Sequence, residues 1–130
     1  MWVVLLNDKD LLGQCALFEI VKATNIKPNA SFIYSDEDKL DAQGNRYNPY
    51  FKPDWNPDLL LGQNYVKHLS AFPLSRAVSM GVFRKEYLNS QDYDLFLRIT
   101  EKLTPNEVTH IPEVLYHRRV FKQNPPAQPE

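Results

Sequence analysis

The sequence predicts a single α/β domain in which a sheet is flanked by helices, and three observations support this. Residues 2–6 form a continuous apolar run that is typical of a buried strand. Apolar side chains then recur at helical spacing over residues 14–24, and a second strand is predicted at residues 31–35. A strand, a helix and a strand in this order indicate a parallel βαβ unit. At 130 residues the chain has room for one such domain and not for two.

The next segment, residues 36–57, is predicted to be a long polar and aromatic loop. Its aromatic side chains gain free energy by burial, so we expect the loop to be ordered and to line a cleft. The remaining predicted elements are a short helix at 57–61, a strand at 65–72, a helix at 73–80, a helix at 91–103, and short strands at 107–110 and 114–120. The domain is predicted to cover residues 1–121, and residues 122–130 a flexible proline-rich tail.

Composition excludes several classes of protein. The formal net charge of -1 predicts no general attraction to nucleic acid or to an anionic membrane surface. No apolar run approaches the roughly 20 residues that span a bilayer, and the N-terminus lacks the basic and apolar regions of a signal peptide. The expected compartment is the cytoplasm. The lone cysteine, Cys15, is predicted to be a buried small apolar side chain without chemistry of its own.

Side chains that can carry chemistry lie at the ends of predicted elements, namely Asp8, Asp10, Asp36, Glu37, Asp38, Asp92, Asp94 and His117. In an open α/β sheet the carboxyl ends of the strands meet at one crevice, so residues 7–10 and 36–38 are expected to face the same ligand. Carboxylate oxygens at such a place suit Mg²⁺ or Mn²⁺. A metal ion held there stabilises a departing diphosphate.

Structural interpretations of the same residues stay open. Asp8 and Asp10 also suit a turn and a helix N-cap, and the acidic run at 36–38 suits a solvated loop. Asp92 also complements the dipole of the helix that begins at residue 91. A partly buried strand position is an alternative for His117 and the preferred interpretation for the other two histidines of the chain, His68 and His110.

Five sequence words occur in a fixed order, and together they carry a family resemblance. They are YSDEDK at 34–39, FKPDWNPDLLL at 51–61, QNY at 63–65, SQDYDL at 90–95 and HIPEVLYH at 110–117. This combination resembles the C-terminal half of the family 2 (GT-A fold) bacterial glycosyltransferases of O-antigen and rhamnan biosynthesis. The resemblance extends from residue 3 to about residue 119.

The resemblance implies a partial GT-A (Rossmann-like) mixed sheet that lacks the N-terminal nucleotide-binding strands. It also implies an inverting transfer of a sugar from a nucleotide-sugar donor to a glycan or lipid-linked acceptor in cell-surface polysaccharide synthesis. By position, Asp92 resembles the general base that takes the acceptor proton. The implied ligands of Mn²⁺ or Mg²⁺ are Asp8, Asp10 and His117. The implied substrate-binding residues are Asp36, Glu37, Asp38, Trp55 and Gln91.

Two departures from the family pattern change what is expected of this chain. The family's Asp-x-Asp-Asp metal motif is replaced by Asn7-Asp8-Lys9-Asp10, in which only Asp10 matches in place and Lys9 is available to contact phosphate. The family's nucleotide-binding half is missing, which exposes a sheet edge and favours association with another copy of the chain. We therefore expect weak donor binding and no turnover by this chain alone.

The complete enzyme is expected to associate peripherally with a membrane. The alternative interpretation of the chain is a non-catalytic remnant of a glycosyltransferase that binds a carbohydrate or a protein partner.

Overall fold

The computed structural model describes residues 1–85 and 90–121, so the predicted tail at 122–130 lies outside the described residues. The strands are β1 (Trp2–Val4), β2 (Leu11–Leu12), β3 (Phe32–Leu40), β4 (Arg46–Tyr50), β5 (Ser70–Pro73) and β6 (Val108–Arg119). The α-helices are α1 (Ala16–Ile26), α2 (Pro57–Gly62), α3 (Leu74–Ser79) and α4 (Gln91–Thr100), and a 3-10 helix covers Pro105–Glu107. Within the described ranges, no helix combines the length and the apolar character that crossing a bilayer requires.

The strands form one mixed sheet in the order β1-β5-β3-β6-β2, with β4 paired to β3. The pair β3–β6 is parallel and the other pairs are antiparallel. Because β5 is antiparallel to both β1 and β3, these two strands run in the same direction, as the predicted βαβ unit requires, with β5 inserted between them. The predicted fold class is confirmed: the chain is a mixed α/β domain, consistent with a partial Rossmann-like fold. Strand β1 lies at one edge of the sheet as described.

The prediction of a loop from residue 36 to residue 57 is wrong up to residue 50. Strand β3 continues through the acidic residues to Leu40, and a hairpin leads back into β4. The hairpin turn is built by Asp41, whose carboxylate accepts hydrogen bonds from the backbone amides of Gln43 (2.9 Å) and Asn45 (2.8 Å). Gly44 adopts the left-handed conformation (φ 84°) that this turn requires. Acidic residues favour a loop locally, but buried basic partners hold these ones in a central strand.

Residues 108–119 form one strand, where the sequence predicts two short ones. Pro112 suggests a break because proline cannot donate to a ladder. The strand passes it by a bulge: Ile111 pairs with Ser35 and Val114 pairs with Asp36, so that Pro112 and its neighbour have no register partner on β3.

Two apolar clusters cover the two faces of the sheet. One contains Phe32, Phe72 and the α4 side chains Leu95, Phe96 and Ile99. The other is formed largely by α1, β3 and β6.

The prediction for α1 holds only in part, because this helix buries Ala16 and Ile20 while Leu17 and Val21 are exposed. Cys15 is also exposed, contrary to prediction. It occupies the N-cap of α1, before the helical face that packs against the sheet.

Candidate functional site

A cleft of about 260 Å³ lies beyond the end of β1 and beside the start of α4. Its lining consists of Leu5, Leu6, Asn7, Lys67, His68, Phe83, Gln91 and Asp92. Two residues that the sequence singled out, Gln91 and Asp92, therefore lie in the same cleft as the residues that leave β1. The cleft carries several polar side chains.

Asp92 stands in the first turn of α4, and its side chain is 26% exposed. Oδ1 accepts a hydrogen bond from the backbone amide of Tyr93 (2.7 Å), and Oδ2 lies 3.7 Å from Nζ of Lys67. Ser90 occupies the N-cap position but makes no capping hydrogen bond through its side chain. Asp92 thus takes part of the capping role, which fixes its carboxylate at the helix N-terminus.

An ionic clamp holds the backbone segment just before Phe83, whose side chain forms one wall of the cleft. Asp94 accepts hydrogen bonds from Arg84 (2.5 Å to Nη2) and from Arg98 (2.8 Å to Nη2). Arg98 also donates to the carbonyl oxygens of Met80 and Val82, which ties the segment before Phe83 to α4. Hydrogen bonds from Arg84 and Arg98 hold the pKa of Asp94 below its usual range.

Behind the cleft, His68 belongs to a buried chain of polar groups. Its Nδ1 lies 3.2 Å from Oε2 of Glu37, and Oε1 of Glu37 lies 3.1 Å from Nζ of Lys52. Burial raises the pKa of Glu37, but the hydrogen bond from His68 and the charge of Lys52 outweigh it, so that the pKa is lowered overall. Burial lowers the pKa of Lys52, whose side chain is 0% exposed, to about 8, although Glu37 opposes the change.

The other two acidic residues of β3 are each 3% exposed and paired within the chain. Oδ1 of Asp36 lies 2.8 Å from Nε2 of His110 and accepts a hydrogen bond from the Lys52 amide (2.9 Å). Asp38 contacts Nε of Arg46 (2.6 Å) and Nδ1 of His117 (2.5 Å). Both carboxylates thus lie inside the sheet, and neither lines the cleft of Asp92.

The three side chains predicted to hold a metal ion have different surroundings. Asp8 is exposed in a turn. Asp10 accepts hydrogen bonds from the Tyr116 hydroxyl (2.5 Å) and from the Arg119 amide (3.0 Å), and His117 is bound to Asp38. Across residues 1–85 and 90–121, no group of three or more His, Cys, Asp or Glu side chains is arranged to hold a metal ion. These surroundings do not fit a Mn²⁺ or Mg²⁺ ion held jointly by Asp8, Asp10 and His117. Metal binding by the chain stays a prediction.

Trp55 lies away from the cleft of Asp92. It packs against Tyr34, with ring centroids 6.4 Å apart, and borders a separate groove between α2 and α4. The structure therefore brings Gln91 and Asp92 together and places Trp55 on another surface.

The sequence interpretation missed His68 and Lys67 as cleft residues. The local signal was a basic pair directly before β5, after the QNY word at 63–65. Their contacts with Glu37 and Asp92, however, cross long stretches of chain, so the pairing is visible only in the folded domain.

Comparison with known proteins gives two relatives. The chain is 42% identical over 118 residues to the uncharacterized protein y4gI of Sinorhizobium fredii (strain NBRC 101917 / NGR234), a match that covers 91% of this chain and 13% of that protein. It is 40% identical over 118 residues to the O-antigen biosynthesis protein RfbC of Myxococcus xanthus, covering 91% of this chain and 9% of RfbC. No family model matches the chain. The chain thus spans only a small part of the length of either curated relative.

Proposed function

We propose that this chain is the acceptor-side part of a glycosyltransferase that acts in cell-surface polysaccharide synthesis, with Asp92 as the general base. The observation that carries the proposal is the cleft in which Asp92 lies beside Lys67 and the residues that leave β1. The similarity to an O-antigen biosynthesis protein supports the same class of product. The sequence words at 34–39 and 90–95 support a nucleotide-sugar donor.

The geometry of Asp92 suits removal of a proton from an acceptor hydroxyl. Because Oδ1 is occupied by the Tyr93 amide, Oδ2 is the oxygen that accepts the acceptor hydrogen bond. As the acceptor oxygen attacks the anomeric carbon, its proton moves to Oδ2 and the bond from the sugar to the diphosphate breaks. Attack from the face opposite the leaving group inverts the anomeric centre. Lys67, whose Nζ lies 3.7 Å from Oδ2, helps to hold the carboxylate in place.

A second candidate function is carbohydrate binding without transfer. One observation favours it: Asp10 and His117 are engaged by Tyr116, Arg119 and Asp38, so the predicted metal ligands are occupied within the chain. In this interpretation the cleft retains the acceptor sugar while catalysis has been lost.

A chimera separates the two candidates. The matching 118 residues of RfbC are replaced by those of this chain, and O-antigen is measured in Myxococcus xanthus cells that lack functional RfbC. We expect the chimera to restore O-antigen and Asp92→Asn to reduce it at least about a hundredfold, since a general base contributes roughly 10²–10⁴ in rate. The matched control is Asp58→Asn, which makes the same exchange in the first turn of α2, outside the cleft.

The proposal is contradicted if the unsubstituted chimera makes no O-antigen, or if Asp92→Asn makes as much as the unsubstituted chimera. In either case, carbohydrate binding by the isolated chain would leave the second candidate standing.

A further inference from the structure

Among the residues that the structure describes, His68 has a buried ring nitrogen without a hydrogen-bond partner. The residue is 7% exposed and lines the cleft of Asp92. Its Nδ1 contacts Glu37, but no hydrogen-bond partner for its Nε2 lies among the residues that the structure describes. A buried polar atom without a partner costs free energy, and native proteins rarely retain one without a reason. Two other side-chain atoms share this state, on Asn64 and Thr109, but neither residue lines this cleft.

The contact with Glu37 decides what the free nitrogen can do. An ionised carboxylate only accepts hydrogen bonds, so Nδ1 of His68 carries the proton that it donates to Glu37. When Nδ1 carries the single proton of the ring, the other nitrogen, Nε2, is an acceptor. A hydroxyl group satisfies an acceptor nitrogen, whereas a phosphate oxygen, which is itself an acceptor, does not.

We propose that Nε2 of His68 accepts a hydrogen bond from a hydroxyl group of a sugar bound in this cleft. The inference deepens the proposed function, on which it rests for the identity of the ligand as a sugar. His68 is in this account a substrate-binding residue next to the general base. Glu37 and Lys52 act through it as positioning residues.

The ring of His68 is held firmly for this task. It stacks on Tyr116 with ring centroids 4.7 Å apart, and Lys52 both pairs with Glu37 and donates to the backbone carbonyl of His68. Phe83, which also lines the cleft, is exposed, and its side chain can rotate aside to admit a ligand. The site therefore combines a fixed acceptor with a movable entrance.

His110 provides the internal comparison. It is also paired with a β3 carboxylate, but both of its ring nitrogens are satisfied, Nε2 by Asp36 and Nδ1 by Asp54, each at 2.8 Å. It does not line the cleft. If His68 were only structural, we would expect it to be satisfied in the same way.

The test uses the whole chain and measures the ring nitrogens of His68 by nitrogen-15 NMR. The probes are methyl glycosides of rhamnose, mannose, galactose and glucose, with inorganic pyrophosphate as a separate arm. We expect the proton on Nδ1 in the free chain, and a change in the Nε2 resonance that saturates as at least one glycoside is added. His68→Gln should weaken that glycoside about tenfold, as loss of one hydrogen bond predicts. The matched variant His110→Gln should leave the affinity within about twofold.

Four results overturn the inference: a proton on Nε2 in the free chain, no binding by any of the glycosides, glycoside binding that leaves Nε2 unchanged, or a change produced by pyrophosphate alone. The wild-type ring resonances decide these points even if His68→Gln does not fold. None of the measurements requires sugar transfer, so the inference and the proposed function fail separately. If a glycoside changes the Nε2 resonance while the chimera makes no O-antigen, the binding site is supported and the transferase function is rejected.

Discussion

The cleft beside α4 and the turn at residues 7–10 both carry carboxylates, but the carboxylates differ in how they are bonded within the chain. In the turn, Asp10 is bound by Tyr116 and Arg119, which fastens the start of β2 to the far end of β6. In the cleft, Oδ2 of Asp92 lies 3.7 Å from Nζ of Lys67, and Nε2 of His68 has no hydrogen-bond partner within residues 1–85 and 90–121. A carboxylate that is satisfied within the chain stabilises the fold, whereas the unsatisfied nitrogen beside the cavity is the feature on which the proposed ligand site rests.

The two regions are joined by Tyr116. Its hydroxyl bonds to Asp10 in the turn, and its ring stacks on His68 behind the cleft. Substitutions around this residue can therefore separate stability from ligand binding, and the following predictions use that property.

The largest effect on stability is expected from Lys52→Met. The exchange leaves Glu37 buried without its lysine and removes a donor to the His68 carbonyl, so we expect the free energy of unfolding to fall by about 3 kcal/mol. Urea denaturation measures this. The double variant Lys52→Met/Glu37→Gln should recover part of the loss because no unpaired charge remains. Equal stability of the wild type and Lys52→Met would show that the buried pair does not support the cleft.

A smaller effect is expected from Tyr116→Phe, which keeps the ring that stacks on His68 and removes the hydroxyl that bonds to Asp10. The loss should be about 2 kcal/mol, as expected for a hydrogen bond to a charged group. Tyr47→Phe, at an exposed position, is the control and should change stability very little. Glycoside affinity should stay near that of the wild type. A large loss of affinity with full stability would assign Tyr116 to the cleft and not to the turn.

The pH dependence of stability gives a third comparison. The pKa of Lys52 is lowered from 10.5 to about 8, so above pH 8 the folded chain releases a proton that the unfolded chain still holds. Stability of the wild type should therefore rise with pH relative to Lys52→Met, by about 1 kcal/mol per pH unit between pH 8 and 9.5. Parallel urea titrations of both proteins measure this. A constant difference across this range would contradict the lowered pKa.

The smallest effect is expected from Asp8→Asn. The side chain is exposed in the turn, so the free energy of unfolding should change by less than about 0.5 kcal/mol. Titration of both proteins with MnCl₂ extends the comparison. If the wild type binds Mn²⁺ and Asp8→Asn does not, then Asn7-Asp8-Lys9-Asp10 is a metal site after all.

The sequence predicts the positions of the helices well because these depend on local periodicity. Helix α4 was predicted from its apolar spacing with the correct first residue, Gln91, and α2 from the proline at its start. Predicted ends are less accurate. Helix α4 ends at Thr100, and β5 starts at Ser70, because turns and sheet pairing set these limits.

The polar interior could not be predicted in the same way. Residues 36–38 are acidic, which locally favours a loop, yet inside the sheet their carboxylates contact His110, Lys52 and His117 from distant parts of the chain. For the same reason His68 was interpreted as structural. Pairing over such distances leaves no periodic pattern in the sequence.

Backbone chemical-shift mapping of the nitrogen-15-labelled chain with the methyl glycosides tests the central claim most directly, because it reports on both regions in one experiment. We expect saturable chemical-shift changes at the cleft-lining residues and little change at Asp10 and Arg119. The cleft-lining residues concerned are Asn7, Lys67, His68, Gln91 and Asp92. Shifts centred on Asp10, Arg119 and His117 that leave Asp92 and His68 unchanged would contradict it and would move the binding site to the turn.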